Sequence, residues 1–178
     1  MIDRGNTMQS NTAGKGLTMG RGKGCLEISL QAVASTLRVT GGRDIAFRRA
    51  KLTMHNTGPM DVDGFAPHAT LCQERGLVHD ATEALCRNMT AQAMPAGGTV
   101  EWDVYDLLLA AHGGVASKVH LWGYKAILDW WFELSAWAEY RHPGAAPVQT
   151  PVSSWKLRWS PAKPPTEEIS LSIEVVKG

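Results

Sequence analysis

Hydrophobic and polar residues begin to alternate at Leu26. Leu26, Ile28 and Leu30 fall on one side, with Glu27, Ser29 and Gln31 on the other, the period of a half-buried strand. Around Ala32-Val33 the phase shifts to Val33, Leu37 and Val39, as a bulge or a strand break would cause. Gly41-Gly42 then reads as a hairpin turn, followed by a second strand from Ile45 and Phe47 to Leu52 and Met54. His55 to Pro59 closes that strand with turn residues, and Asp61 to Gly64 continues as an irregular connection. Between Ala66 and Met94, Leu71, Ala81, Ala84, Leu85 and Met89 form an apolar stripe, with Asp80 near a start, so the spacing predicts helix there. Pro95 to Gly98 ends it. Val100, Trp102 and Val104 alternate with Glu101 and Asp103 as a short strand, and Tyr105 to Ala111 either extends that strand or begins a helix before Gly113-Gly114.

From Val119 to Tyr140 two periods compete. Ile127, Trp130, Trp131, Leu134 and Trp137 fit a helix, whereas Trp130, Phe132, Leu134, Ala136, Ala138 and Tyr140 fit a strand, which the aromatic content favours. In the strand register Asp129, Trp131, Glu133, Ser135, Trp137 and Glu139 share the opposite face. Pro143 to Pro151 is a Pro- and Ala-rich loop, Trp155, Leu157 and Trp159 alternate again, and Pro161, Pro164 and Pro165 stiffen a connector. Ile169, Leu171, Ile173 and Val175 mark a terminal strand. The sum is an α+β fold, mainly antiparallel sheet with one or two packed helices.

Six glycines and four basic residues, Arg4, Lys15, Arg21 and Lys23, occupy residues 1–24 with almost nothing that can pack, which predicts a disordered, flexible arm ahead of a single domain at 25–178. The net charge of +1 hides a polarity. Residues 1–60 carry nine Lys/Arg against three Asp/Glu, while residues 61–178 carry nine against fourteen. A chain so divided suits an anionic surface at its basic end. Lys15, Arg21 and Lys23 in the arm, with Arg38, Arg43, Arg48, Arg49 and Lys51 in the hairpin, are the candidate polyanion-binding residues. A solubilising tail and an edge strand guarded by arginine are the plainer alternatives.

Of the seven tryptophans, six follow residue 120, more than one small core readily encloses with every indole N–H bonded. Trp131, Trp137, Trp155 and Trp159 are therefore the candidate self-association residues. Three cysteines, an odd number, and the lack of a charged start followed by an apolar run predict an intracellular, reducing setting rather than secretion. Acidic and basic residues interrupt every long apolar stretch, so any membrane contact is expected to be peripheral.

Catalytic patterns are weak. His68, Cys72, His79 and Cys86 lack the close ligand pairs of structural zinc sites, and neither metal nor cofactor is expected. Gly20 to Gly24 has no preceding strand and lacks Walker spacing. Glu101, Asp103 and Asp106 read as a solvated strand face before they read as an acid–base cluster. No local frame for a nucleophile is present, so the expectation is a protein that is not an enzyme and has no small-molecule substrate.

Basic leader, compact body and surplus aromatics together resemble the matrix proteins of rhabdoviruses, particularly the short ones of plant-infecting members. The nearest local likeness is Gly123-Tyr124-Lys125-Ala126-Ile127 leading into Phe132-Glu133-Leu134, about 20 residues similar to the entry to a long strand in vesicular-type members. Pro164-Pro165-Thr166-Glu167 departs from the proline-rich budding motif by lacking its tyrosine. The resemblance implies a homo-oligomeric layer, in the virion and host-cell cytoplasm, that joins nucleocapsid RNA to an anionic membrane surface. Two other classes remain open: an immunoglobulin-like β-sandwich binding module, suggested by Leu52 to Gly58 and Pro95 to Val100, and an enzyme of unrecognised type.

Overall fold

The computed structural model describes residues 26–38, 42, 44–73, 78–87, 89, 92–111, 131–160 and 168–176. The proposed arm at 1–24, Cys25, Arg43, Asn88, Thr90, Trp122, the 119–130 half of the ambiguous segment and the Pro161 to Pro165 connector lie outside the described residues.

Strands β1 (Leu26–Arg38) and β2 (Asp44–Asn56) pair antiparallel from Leu26↔Asn56 to Arg38↔Asp44. Gly42, with φ 77°, stands in the turn between them, a conformation that glycine adopts without steric cost. The expected bulge at Ala32-Val33 is absent, because the ladder runs through Ala32↔Ala50 and Val33↔Arg49 without a shift. Gln31 to Ala34 are exposed on both faces, so burial imposes no phase there. Burial instead changes phase in β2, where Phe47 is interior and the next inward residues are Ala50, Leu52, Met54 and Asn56.

Sequence periodicity misread the next stretch. The first part of what was expected to be helix is strand, β3 (Asp63–Gln73) and β4 (Val78–Asp80), and helix α1 covers only Thr82–Cys86. The inward residues of β3 are Phe65, Pro67, Ala69, Leu71 and Gln73, which differ too little in polarity from Ala66, His68, Thr70 and Cys72 to display a period of two. Strand β5 (Thr99–Asp103) runs into helix α2 (Val104–Ala111), followed by β6 (Trp131–Arg141), β7 (Val148–Gln149), β8 (Ser153–Ser160) and β9 (Glu168–Val176). The strand reading of the ambiguous segment holds over Trp131–Arg141, with Phe132, Leu134, Ala136, Ala138 and Tyr140 buried.

The strand order is β1-β2-β9-β8-β6-β3-β4, with β5 pairing β2 and β7 pairing β6. Among the described residues the ladders are antiparallel except a short parallel one where Ala46-Phe47 meets Glu168-Ile169 and joins the β1-β2-β5 half to the rest. The described residues are thus mostly strand, with two short helices as the α component.

Inward residues of both halves form one core. Trp159 stacks on Phe47 at 6.5 Å and meets Phe132 edge-on at 6.2 Å. Its Nε1 donates to the Arg48 carbonyl at 2.8 Å, so a fully buried indole leaves no polar group unpaired. The Trp102 Nε1 likewise donates to the Leu85 carbonyl at 3.0 Å, tying β5 to α1. Buried Asn56 closes the far end of β2. Its Nδ2 donates to the carbonyls of Met60 and Pro95 at 2.9 and 3.1 Å, and its Oδ1 accepts the Gly58 N–H at 3.0 Å. Each large apolar side chain so enclosed stabilises the fold by about 1.5–3 kcal/mol.

Candidate functional site

Alternation leaves each half of the fold an outward face, and the two faces differ in what their side chains do. On the β1-β2-β5 half, Thr53 lies opposite Glu101 and Lys51 opposite Asp103. The side chains pair along the strands: Lys51 Nζ lies 2.6 Å from Glu101 Oε2, and Arg49 Nη1 lies 2.7 Å from Asp103 Oδ2. Asp103 Oδ1 also accepts the Tyr105 N–H at 2.9 Å and fixes the start of α2. The hydrogen bond to Asp103 holds the Arg49 guanidinium above its ordinary pKa, outweighing partial burial. Burial pushes the Tyr105 phenol up in turn.

These pairs correct the expectation of a cationic ribbon. Arg49 and Lys51 are already matched by carboxylates of the same chain, which cuts their attraction for an external polyanion. Arg48 is exposed and Arg38 ends β1, whereas Arg43, Lys15, Arg21 and Lys23 lie outside the described residues. Glu101, Asp103 and Asp106 do share a groove of about 310 Å³ with Arg87 and Trp102. Its first two carboxylates are the partners of Lys51 and Arg49, so the groove is built around structural ion pairs.

Across the molecule, β3, β6, β8 and β9 turn a second face outward. Trp137 and His68, opposite one another across β6 and β3, stack with ring centroids 5.3 Å apart and planes 8° from parallel. His68 Nε2 makes no hydrogen bond and lies 4.0 Å from Glu139 Oε1. Trp131 faces Arg158, whose guanidinium carbon lies 5.5 Å from the ring centroid, a cation–π arrangement. Between the two indoles, the Ser135 and Ser154 hydroxyls share a hydrogen bond of 2.7 Å.

Register brings Cys72, Glu133, Lys156 and Glu174 into one row across four strands. Among the described residues no ion pair joins the row's three charged groups, although their signs alternate. A hollow of about 340 Å³ opens beside them, lined also by Trp131, Gln73 and Phe132. This face carries aromatic area and charge that the fold does not consume.

Two of the four proposed self-association tryptophans therefore stand at a surface, and two do not. Trp131 and Trp137 are half-buried on the outward face, whereas Trp155 and Trp159 are 6% and 0% exposed and belong to the core. The crowding that argued against enclosing them is relieved by Ala50, Ala69, Ala136 and Ala138, all fully buried, which leave volume for large rings. The partners of the outward indoles, His68 and Arg158, and the Glu133–Lys156–Glu174 row escaped sequence reasoning, since only strand register reveals them.

The His/Cys quartet is dispersed. His68 and Cys72 lie on β3, His79 on β4 and Cys86 on α1, and the described residues contain no group of three or more His, Cys, Asp or Glu placed to hold a metal ion. Among the described residues, no helix is long and apolar enough to cross a membrane. Compared with models of known families, with curated proteins and with solved structures, the chain has no match.

Proposed function

We propose that the chain is a non-catalytic structural subunit of matrix type, which self-associates and bridges nucleocapsid RNA to an anionic membrane surface in the virion and host-cell cytoplasm. The observation that supports this most is the outward β6 face. It presents two half-buried tryptophans and a row of alternating charge with no ion pair among the described residues, the mixture of aromatic anchors and complementary charge on which subunits dock. Self-association belongs to Trp131 and Trp137. Polyanion binding is assigned to the basic residues before β1, with Arg43 in support, because Arg49 and Lys51 have internal partners.

Sedimentation velocity of the full chain across a range of salt and protein concentrations tests the reading. The chain is expected to associate, and Trp131→Ser with Trp137→Ser is expected to abolish association while the circular dichroism spectrum is kept. For RNA, the four cations Arg4, Lys15, Arg21 and Lys23 set a salt slope of about −3, at roughly −0.7 per phosphate contact. Association undiminished in the double variant would overturn the docking face.

A monomeric β-sandwich binding module is the second reading, favoured by the largely strand architecture. It predicts a single monomer boundary in sedimentation at every concentration.

A further inference from the structure

Along β6 and β8 the outward charges are sorted by strand. β6 turns out Glu133 and Glu139, with Arg141 at its last position, and its antiparallel neighbour β8 turns out Lys156 and Arg158. Three outward residues of β6 also stand beside a residue of matching chemistry on β8: Trp131 beside Arg158, Glu133 beside Lys156, and Ser135 beside Ser154. Arg158 lies over the Trp131 ring, and the two serine hydroxyls share a hydrogen bond. Glu133 and Lys156, by contrast, form no ion pair among the described residues, and Lys156 is exposed.

We propose that this face packs against the same face of a second copy, about a two-fold axis that runs parallel to the strands midway between β6 and β8. The inference rests on the proposed self-association and names its geometry. Such an axis exchanges the two strands, so β6 of each copy lies over β8 of the other and each row meets its own ladder partner across the interface. Glu133 of each copy then meets Lys156 of the other, Trp131 meets Arg158, and Ser135 meets Ser154, every contact occurring twice. Trp137 is carried toward the residues just before β8, where Val152 is 54% exposed. Charge and aromatic position together select this axis. One running across the strands lays β8 over itself, where Lys156 and Arg158 find no carboxylate. One between β8 and β9 does pair Lys156 with Glu174, but it sets β6 past β9 and takes both tryptophans away from the basic strand.

Charge reversal in the full chain, read by sedimentation velocity, tests the arrangement. Glu133→Lys and Lys156→Glu each set like charges together twice, so either variant alone should dimerise about 100-fold more weakly than the native chain. Mixed in equal amounts the two should dimerise again, because one chain then presents cations at both positions and the other carboxylates. Recovery on mixing also shows that both variants are folded. The milder Lys156→Gln should weaken the dimer by about tenfold, and Glu174→Lys should weaken it less than Glu133→Lys does. The axis is wrong if either reversal or Lys156→Gln dimerises like the native chain, or if Glu174→Lys has the larger effect. It is equally wrong if the mixture stays monomeric while both chains keep the native circular dichroism spectrum. In each of these cases self-association stands or falls separately, with the Trp131→Ser and Trp137→Ser chain. If the native chain is monomeric at every concentration, both fall together.

Discussion

The two outward faces carry similar inventories of charge and put them to different use. On the β1-β2-β5 face, Arg49 and Lys51 are matched by Asp103 and Glu101 at 2.7 and 2.6 Å, and one of those carboxylates also starts a helix. On the β3-β6-β8-β9 face, Glu133, Lys156 and Glu174 alternate in sign across three strands without an ion pair among the described residues, between two stacked indoles. Counting charges along a sequence does not distinguish them. Pairing does: the first face is neutralised within the fold, and the second remains able to gain by meeting a partner.

The sharpest way to expose the contrast is to remove tryptophans from opposite sides of the second sheet. Trp159→Ala empties a fully enclosed site and removes the hydrogen bond to the Arg48 carbonyl, so denaturant unfolding should show a loss of about 3–5 kcal/mol. Trp137→Ala removes a half-buried ring and should cost less than about 1 kcal/mol, yet reduce self-association in sedimentation. Equal losses of stability would erase the distinction between core and docking indoles.

A smaller effect is expected from unpairing the first face. Glu101→Gln with Asp103→Asn releases Lys51 and Arg49, and the salt slope of RNA binding should steepen by about 1.4, from two added contacts at about 0.7 each. Stability should fall by about 1 kcal/mol, since both pairs are partly exposed and screened. An unchanged slope would mean that the two cations never reach the polyanion. In the native chain, converting Arg43, Arg48, Arg49 and Lys51 to Gln should weaken RNA binding less than deleting residues 1–24 does.

The smallest effect lies at Asp80, on the edge of the second sheet. Hydrogen bonds from the Thr82 side chain and backbone hold its carboxyl below the usual carboxylate range. A depressed folded value means the contribution is present above the unfolded pKa of about 3.9 and disappears as pH falls through the folded one. Asp80→Ala should therefore lower stability at neutral pH by no more than about 0.5 kcal/mol. The difference should vanish in acid, as thermal melts across pH will show.

How much of this the sequence discloses depends on local contrast. The β1–β2 hairpin is legible because a long run alternates and Gly41-Gly42 marks the reversal. β6 is legible because bulky apolar residues alternate with Glu133, Ser135 and Glu139, which also places Trp131 and Trp137 outward. β3 is hidden because Pro67, Ala69 and Gln73 face inward while Cys72 and His68 face outward. Trp155 and Trp159 alternate with Lys156 and Arg158, a pattern that points them inward, but the count of indoles argued for the surface until the buried alanines explained the space. The ion pairs of the first face depend on how β5 registers against β2, 50 residues apart in the chain for Lys51 and Glu101, and no local pattern encodes that.

Hydroxyl-radical footprinting of the assembled and dissociated chain, read by mass spectrometry, would compare the two faces in a single measurement. Trp131 and Trp137 should become protected on assembly while the Arg49–Lys51 and Glu101–Asp103 segments keep their reactivity. Protection at the latter segments with unchanged reactivity at both tryptophans would contradict the assignment of the docking face.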